Sequence, residues 1–375
     1  YHLELVKLQH IFMTALLFVL GLAALIAGAE LFLKAVDRFG IKWGVSPMIM
    51  GLTVVAFATG APELAISLKA ALNDSADLVL GNIIGSNIAN ILLILGISGL
   101  ITPLQIKQRI IRIDVPIVIA MSIVLYVLSL DGELGPFDGM VLLLGLLGYS
   151  IFTFIQVRKN QVDIAELYEQ EDASELASGG WFYIKNAGIL LIGLALIVQG
   201  ANWMVDSAVT IAQILGMSEL VVGLTIVSIG TSLPEVATSM AAARKGNADM
   251  AVANVLGSNI YNVMLTLGLT IVIAPGVLEV SRNALLLDMP FMIAVAVGCI
   301  PIFLAGFDLT RADAFLFLFY YAAYLSYLVL EAIGSSSLEW VEKGFFFIVL
   351  PITLYYMFSR LIREGLAARR NEEHS

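Results

Sequence analysis

The sequence predicts an all-α polytopic membrane protein: two inverted five-helix repeats, hence ten core transmembrane helices, plus one additional C-terminal transmembrane helix. Three observations lead there. Apolar runs of bilayer-spanning length recur along the chain, basic residues gather on alternate connections, and two halves of the chain match each other at a constant offset.

The runs come first. Of 375 residues, 59% are hydrophobic and 13% charged, with a mean hydropathy of +0.93, against roughly a quarter charged in a soluble domain. A helix crosses the hydrocarbon core in about 20 apolar residues. Eleven segments meet that need: 11–33, 46–72, 76–101, 113–130, 136–157, 181–206, 218–243, 248–274, 286–306, 311–332 and 342–362. An odd number of spans places the termini on opposite sides. With the N-terminus outside, only Lys7, Lys69, Arg282 and Lys343 of the 20 basic residues stay outside. That asymmetry is the positive-inside pattern, giving N-terminus out and C-terminus in. The expected location is therefore the cell (inner) membrane, as a multi-pass protein with the bilayer as its surroundings. The opening YHLELVKLQH has neither the basic start nor the small-residue cleavage site of a secretory signal.

The repeat sets the organisation. Shifted by 172 residues without gaps, 51–70 matches 223–242 at ten positions, and 81–100 matches 253–272 at nine. Chance would give about one match in twenty. Gly21 and Gly28 answer Gly193 and Gly200, and after a two-residue slip Asp114-x-Pro116 answers Asp288-x-Pro290. Each unit holds five spans, so the second copy enters from the opposite side, as in many secondary transporters. The domain reading is 11–157 for the first repeat, 158–180 for an acidic cytoplasmic loop, 181–332 for the second repeat and 342–362 for the added helix.

Chemistry concentrates where the runs are interrupted. "GLTVVAFATGAPELAIS" (51–67) and "GLTIVSIGTSLPEVATS" (223–239) each place a proline and a glutamate in mid-span. Pro62 and Pro234 remove one intrahelical hydrogen bond and free the carbonyls of Ala58 and Gly230, which at that depth must face protein or a polar cavity. Thr59 and Thr231 precede Glu63 and Glu235 by four residues, on the same helical face. The next span of each half, "GNIIGSNIAN" and "ANVLGSNIYN", places Asn82, Ser86 and Asn90, then Asn254, Ser258 and Asn262, at steps of four. Gly81-xxx-Gly85 and Ala253-xxx-Gly257 are small-residue faces suited to close helix packing.

Pooled, the halves offer two carboxylates with hydroxyl, amide and carbonyl oxygens, and no sulfur or imidazole. Such a set suits a hard cation, and two carboxylates suit Ca²⁺, which takes about 6–8 oxygens. One proline in a membrane helix is ordinarily a kink, and one Ser/Asn stripe is ordinarily interhelical glue. Recurrence of all these features at one offset speaks against both. Asp77, Asp249, Asp114 and Asp288 sit at span starts, where helix-dipole complementation is a sufficient reading. The single cysteine, Cys299, excludes internal disulfides, and the three histidines lie near the chain ends. Imidazole catalysis and zinc chemistry are thereby disfavoured. The net charge of −10 comes largely from loops and 163–175, and points to no nucleic-acid partner.

"ATGAPELAIS" with "GNIIGSNIAN", and "GTSLPEVATS" with "ANVLGSNIYN", resemble the two alpha-repeats of the cation/calcium exchanger superfamily, especially its prokaryotic sodium/calcium exchangers. The resemblance spans residues 11–332 and implies a central site between the second, third, seventh and eighth helices. It implies Ca²⁺ ligands at Glu63 and Glu235 with the carbonyls of Thr59 and Thr231. It implies sodium sites using the Ala56 carbonyl, Thr59 and Ser86 on one side, and the Ser228 carbonyl, Thr231, Ser232 and Ser258 on the other. Asn90 and Asn262 complete the candidate metal set. Gly60 stands where the family usually has a hydroxyl residue, and Asn262 where potassium-dependent members have Asp. The connection between the fifth and sixth spans is too short for the regulatory calcium-binding domains of animal exchangers.

The implied function is a secondary antiporter, not an enzyme, exporting Ca²⁺ against Na⁺ by alternating access, without cofactor or obligate protein partner. A Ca²⁺/H⁺ antiporter of the same fold is the alternative, since protons also discharge facing carboxylates. A cation channel fits less well, because channels use rotational symmetry about a pore. An intramembrane hydrolase lacks a nucleophile–base set.

Overall fold

A computed structural model gives the fold and describes residues 2–159, 180–214, 228–335 and 337–373. The described residues are mostly helical: α1 (His2–Trp43), α2 (Pro47–Thr59), α3 (Ala61–Leu72), α4 (Ala76–Ile101), α5 (Ile110–Leu128), α6 (Pro136–Lys159), α7 (Gly180–Ile214), α8 (Ser228–Thr231), α9 (Leu233–Arg244), α10 (Ala248–Ile273), α11 (Ala284–Leu304), α12 (Arg311–Ala332) and α13 (338–373). Eight described helices are long and apolar enough to cross a membrane, and α2 with α3, bent by 42°, makes a ninth. The expected seventh span, 218–243, is described only from Ser228 onward, as α8 and α9. Most of the expected acidic loop, 160–179, lies outside the described residues.

Boundaries differ from expectation chiefly at α1, which runs on to Trp43 rather than stopping at 33. Phe32, Leu33, Val36 and Phe39 keep an apolar face buried against the bundle, so packing continues the helix after hydropathy falls. Ser46 caps the second helix: its Oγ accepts from the Ile49 amide at 3.5 Å, and Pro47 opens α2. Not predicted are π-turns at 90–95 and 262–267, and at 110–114 and 284–288. The first pair is separated by 172 residues and the second by 174, so the backbone irregularity repeats along with the sequence.

Contacts between the halves are crossed. Gly21 meets Gly200, and Gly28 meets Gly193: an added Cβ on any of the four would lie 2.6–2.8 Å from backbone of the facing helix. Because rising numbers on α1 meet falling numbers on α7, these repeat-equivalent helices run antiparallel. Only residues without side chains allow that approach. Two short ribbons repeat the pattern: β1 (Leu104–Gln105) pairs antiparallel with β4 (Asp308–Leu309), and β2 (Glu133–Leu134) with β3 (Leu278–Glu279). Among the small residues expected to pack, Gly257 does, its added Cβ meeting Leu52 and Ala56 of α2. Gly81 faces open space instead. The core lies around α4 and α10, where Ile83, Ile84, Ile88, Val252, Val255 and Ile260 are buried.

Candidate ion-binding site

Both breaks turn at one residue. Gly60 (φ −76°, ψ 1°) separates α2 from α3, and Ser232 (φ −89°, ψ 6°) separates α8 from α9. The Gly60 amide donates to the Ala56 carbonyl at 3.1 Å, and the Ser232 amide to the Ile229 carbonyl at 3.2 Å. A new helix then begins with proline in its first turn and glutamate following it. The proline therefore does more than free a carbonyl. It starts a helix N-terminus inside the span, with Glu63 and Glu235 in the first turn of the new helix.

The two carboxyls are each 1% exposed and lie within electrostatic reach of each other. Thr59 of the first break lies within hydrogen-bonding reach of Glu235 of the second, while its hydroxyl also donates to the Val55 carbonyl at 3.1 Å. Ser232 Oγ bonds Ser86 Oγ at 3.4 Å. Thus the break of each half meets residues of the other.

Four asparagines close the arrangement. Asn90 Nδ2 donates to Asn259 Oδ1 at 2.9 Å, Asn262 Nδ2 to Asn87 Oδ1 at 3.3 Å, and Asn259 Nδ2 to the Asn87 carbonyl at 3.3 Å. These bonds engage the amide nitrogens of Asn90 and Asn262 and leave their Oδ1 atoms without a partner, like Glu63 Oε2, Glu235 Oε2 and Ser258 Oγ. A buried acceptor without a donor costs about 1–3 kcal/mol. The unpartnered acceptor oxygens of Glu63, Glu235, Asn90 and Asn262 are groups that a cation would satisfy. Among the described residues no three His, Cys, Asp or Glu gather, so neutral oxygens must supply most of any coordination shell.

Of the predicted residues, the structure brings together Glu63, Glu235, Thr59, Ser86, Ser232, Asn90 and Asn262. Ser258 is buried on α10 four residues before Asn262, with its hydroxyl unpartnered. Thr231 is half-buried at the end of α8. Ala56 is buried and its carbonyl takes the Gly60 amide; Ser228 is the first residue of α8. The stripe at steps of four divides. Asn82 Nδ2 braces the Glu63 carbonyl at 3.2 Å and Ser67 Oγ at 3.0 Å, and Asn254 Nδ2 braces Thr238 Oγ1 at 3.1 Å and Ser239 Oγ at 2.8 Å. A step of four advances about 40° beyond a full turn, so eight residues rotate Asn82 away from the face of Asn90. Asn87 and Asn259 were given no role from sequence, although their recurrence at the offset of 172 was available as a signal.

The comparisons with known proteins agree on one family. The family model described as sodium/calcium exchanger protein matches residues 13–156 and 185–330. Inner membrane protein YrbG of Escherichia coli (strain K12) is 36% identical over 286 residues, 76% of this chain and 86% of that protein. The sodium/calcium exchanger MaX1 of Methanosarcina acetivorans is 30% identical over 342 residues, 83% of this chain and 97% of that protein. Structures of the sodium-calcium exchanger NCX_Mj superpose with a TM-score of 0.70 at 28% identity, covering 85% of this chain and 99% of that one. The fold, the multi-pass membrane character and these matches converge: the chain belongs to the sodium/calcium exchanger family of membrane antiporters.

Proposed function

We propose that this antiporter exports Ca²⁺ in exchange for Na⁺, with both ions bound in turn at the oxygen cluster around Glu63 and Glu235. The observation that carries this reading is the facing pair of buried carboxyls among acceptors whose donors are spent elsewhere. Two carboxylates supply about two negative charges, which one Ca²⁺ or more than one Na⁺ neutralises. An empty site would leave both charges against the apolar flanks of α2 and α8, a costly state. Exchange is thereby obligatory, because the site crosses only when loaded.

The ligand roles are read as follows. Glu63 and Glu235, with the carbonyls of Thr59 and Thr231, hold Ca²⁺. The Ala56 carbonyl, Thr59 and Ser86 serve one sodium site, and the Ser228 carbonyl, Thr231, Ser232 and Ser258 the other; Asn90 and Asn262 lend Oδ1 atoms. The framework is two inverted five-helix halves, 11–157 and 181–332, with N-terminus out and C-terminus in. The crossed glycine, ribbon and asparagine contacts support it, since a two-fold relation turns every contact between i and j into one between their equivalents.

The second reading is a Ca²⁺/H⁺ antiporter. Sodium is favoured because protons need no neutral oxygens, and this cluster is rich in them. Liposomes loaded with radioactive Ca²⁺ distinguish the readings: an inward Na⁺ gradient alone should drive efflux. Efflux under a pH gradient only would transfer the assignment to protons, and conductance without any gradient would indicate a channel.

A further inference from the structure

Asn87 and Asn259 hold the same position in the two repeats, 172 residues apart, and both are 1% exposed. Asn259 Oδ1 accepts from Asn90 and Asn87 Oδ1 from Asn262, each across the contact between α4 and α10. An amide side chain is polar in one sense only: its oxygen accepts and its nitrogen donates. Asn90 and Asn262 therefore offer an ion an oxygen, or repel it with N–H groups, according to which way each amide is turned.

At Asn90 that direction is set by a group that cannot turn. The Asn87 backbone carbonyl only accepts, so the Asn259 amide must point Nδ2 at it, at 3.3 Å. Asn259 Oδ1 is thereby turned to Asn90, which answers with Nδ2 at 2.9 Å. The Asn90 oxygen is left over, buried and unpartnered. Reversing either amide would set two acceptors against each other away from water, which is costly. At Asn262 the relay ends on a softer group. Asn87 Nδ2 goes to Met292 Sδ of α11 at 3.6 Å, and a thioether is only a weak acceptor. Asn87 Oδ1 then takes Asn262 Nδ2 at 3.3 Å. The sequence carries the difference: at the 174-residue offset of this span, Val118 of α5 answers Met292, and valine has no acceptor.

We propose that Asn259 is a positioning residue for ion binding: it fixes Asn90 as an oxygen ligand, whereas Asn87 leaves the Asn262 amide able to reverse. The inference rests on the reading that Asn90 lends Oδ1 to the transported cation. Asn259 itself touches no ion. It acts through one hydrogen bond, and the Asn87 carbonyl is the fixed point of that relay.

Calcium binding to the purified protein, measured by titration calorimetry without Na⁺, tests this with Asn259→Ala in the wild-type and Asn90→Asp backgrounds. In the wild-type background the dissociation constant should rise roughly three- to tenfold, the range of one hydrogen bond. In the Asn90→Asp background both side-chain oxygens accept, so no orientation is left to lose. There Asn259→Ala should leave the constant unchanged or lower it. Asn259→Leu refills the volume and takes the place of the alanine variant if that one does not fold. Asn87→Ala, equally buried but keeping its backbone carbonyl, should weaken binding less than Asn259→Ala. An equal rise in both backgrounds, or an Asn87→Ala effect as large, would overturn the proposal. Unchanged binding in Asn90→Ala would remove Asn90 from the ligands and overturn it through that premise, a failure this single variant shows on its own.

Discussion

Ser232 and Ser86 bond each other at 3.4 Å across the two halves of the chain, and their repeat-equivalents cannot do the same. The equivalent of Ser232 is Gly60, and the equivalent of Ser86 is Ser258, whose hydroxyl is left unpartnered. Ser232 holds nearly the backbone angles of Gly60, so the turn does not demand glycine. A Cβ at Gly60 would stand 3.2 Å from the Ala56 carbonyl oxygen and 3.8 Å from Asn262 Oδ1. Gly60→Ser should therefore restore the missing oxygen. Half-saturation for Na⁺ should fall by roughly two- to tenfold, matching ~0.5–1.5 kcal/mol for one hydrogen bond. An unchanged half-saturation with a lost rate would show instead that the tight contact with Ala56 dominates.

Glu63→Gln or Glu235→Gln should each abolish Ca²⁺ exchange while the protein remains folded and inserted. Each substitution removes one of two carboxylates and buries no new charge. Calcium flux in liposomes, beside a size-exclusion profile, measures both halves of the expectation. Robust flux through the double variant would remove the site assignment altogether.

Transport should proceed without K⁺. At position 262 a neutral amide replaces the carboxylate found in potassium-using relatives, and its nitrogen is already committed to Asn87 Oδ1. Replacing K⁺ by choline on both sides of the membrane should leave Na⁺-driven flux unchanged.

Asn259→Ala should destabilise the protein more than an ordinary surface change. It strips the acceptor from Asn90 Nδ2 and the donor from the Asn87 carbonyl, both in a buried setting. The expected loss is about 1–3 kcal/mol, visible as a lowered Tm. Half-saturation for Ca²⁺ should also rise, because Asn90 is then free to rotate its Oδ1 away.

The added helix α13 lies beyond residue 330, where the family match ends. Arg360 fastens it to Asp308 and Asp313 and donates to the Ala305 carbonyl at 2.8 Å, while Tyr356 donates to Asp313 at 2.9 Å. Arg360→Ala leaves the fully buried Asp313 without its cation, a loss on the order of 3 kcal/mol. Limited proteolysis should then cut before α13 at lower protease concentration than in wild type. Ion exchange should persist, because no residue of the oxygen cluster lies on that helix.

The sequence by itself determined the membrane class, the offset of 172 and the two breaks, because hydropathy, spacing and proline chemistry are properties of the chain read locally. Glu63, Glu235, Thr59 and Ser86 stood out for the same reason, as polar residues within apolar spans, whereas Ser232 came only with the family resemblance. Tertiary structure decided what those residues face. Crossed packing places Thr59 beside Glu235 and Asn90 beside Asn259, pairs separated by well over a hundred residues, and no local spacing encodes such contacts. It also decided which side of each polar group is spent. An asparagine in a stripe reads equally as brace or ligand until its nitrogen has a partner, and only the folded chain shows that Asn82 braces while Asn90 keeps a free oxygen. Asp114 marks the same limit: the sequence places it near a span start, and only the fold shows it buried with neither oxygen hydrogen-bonded.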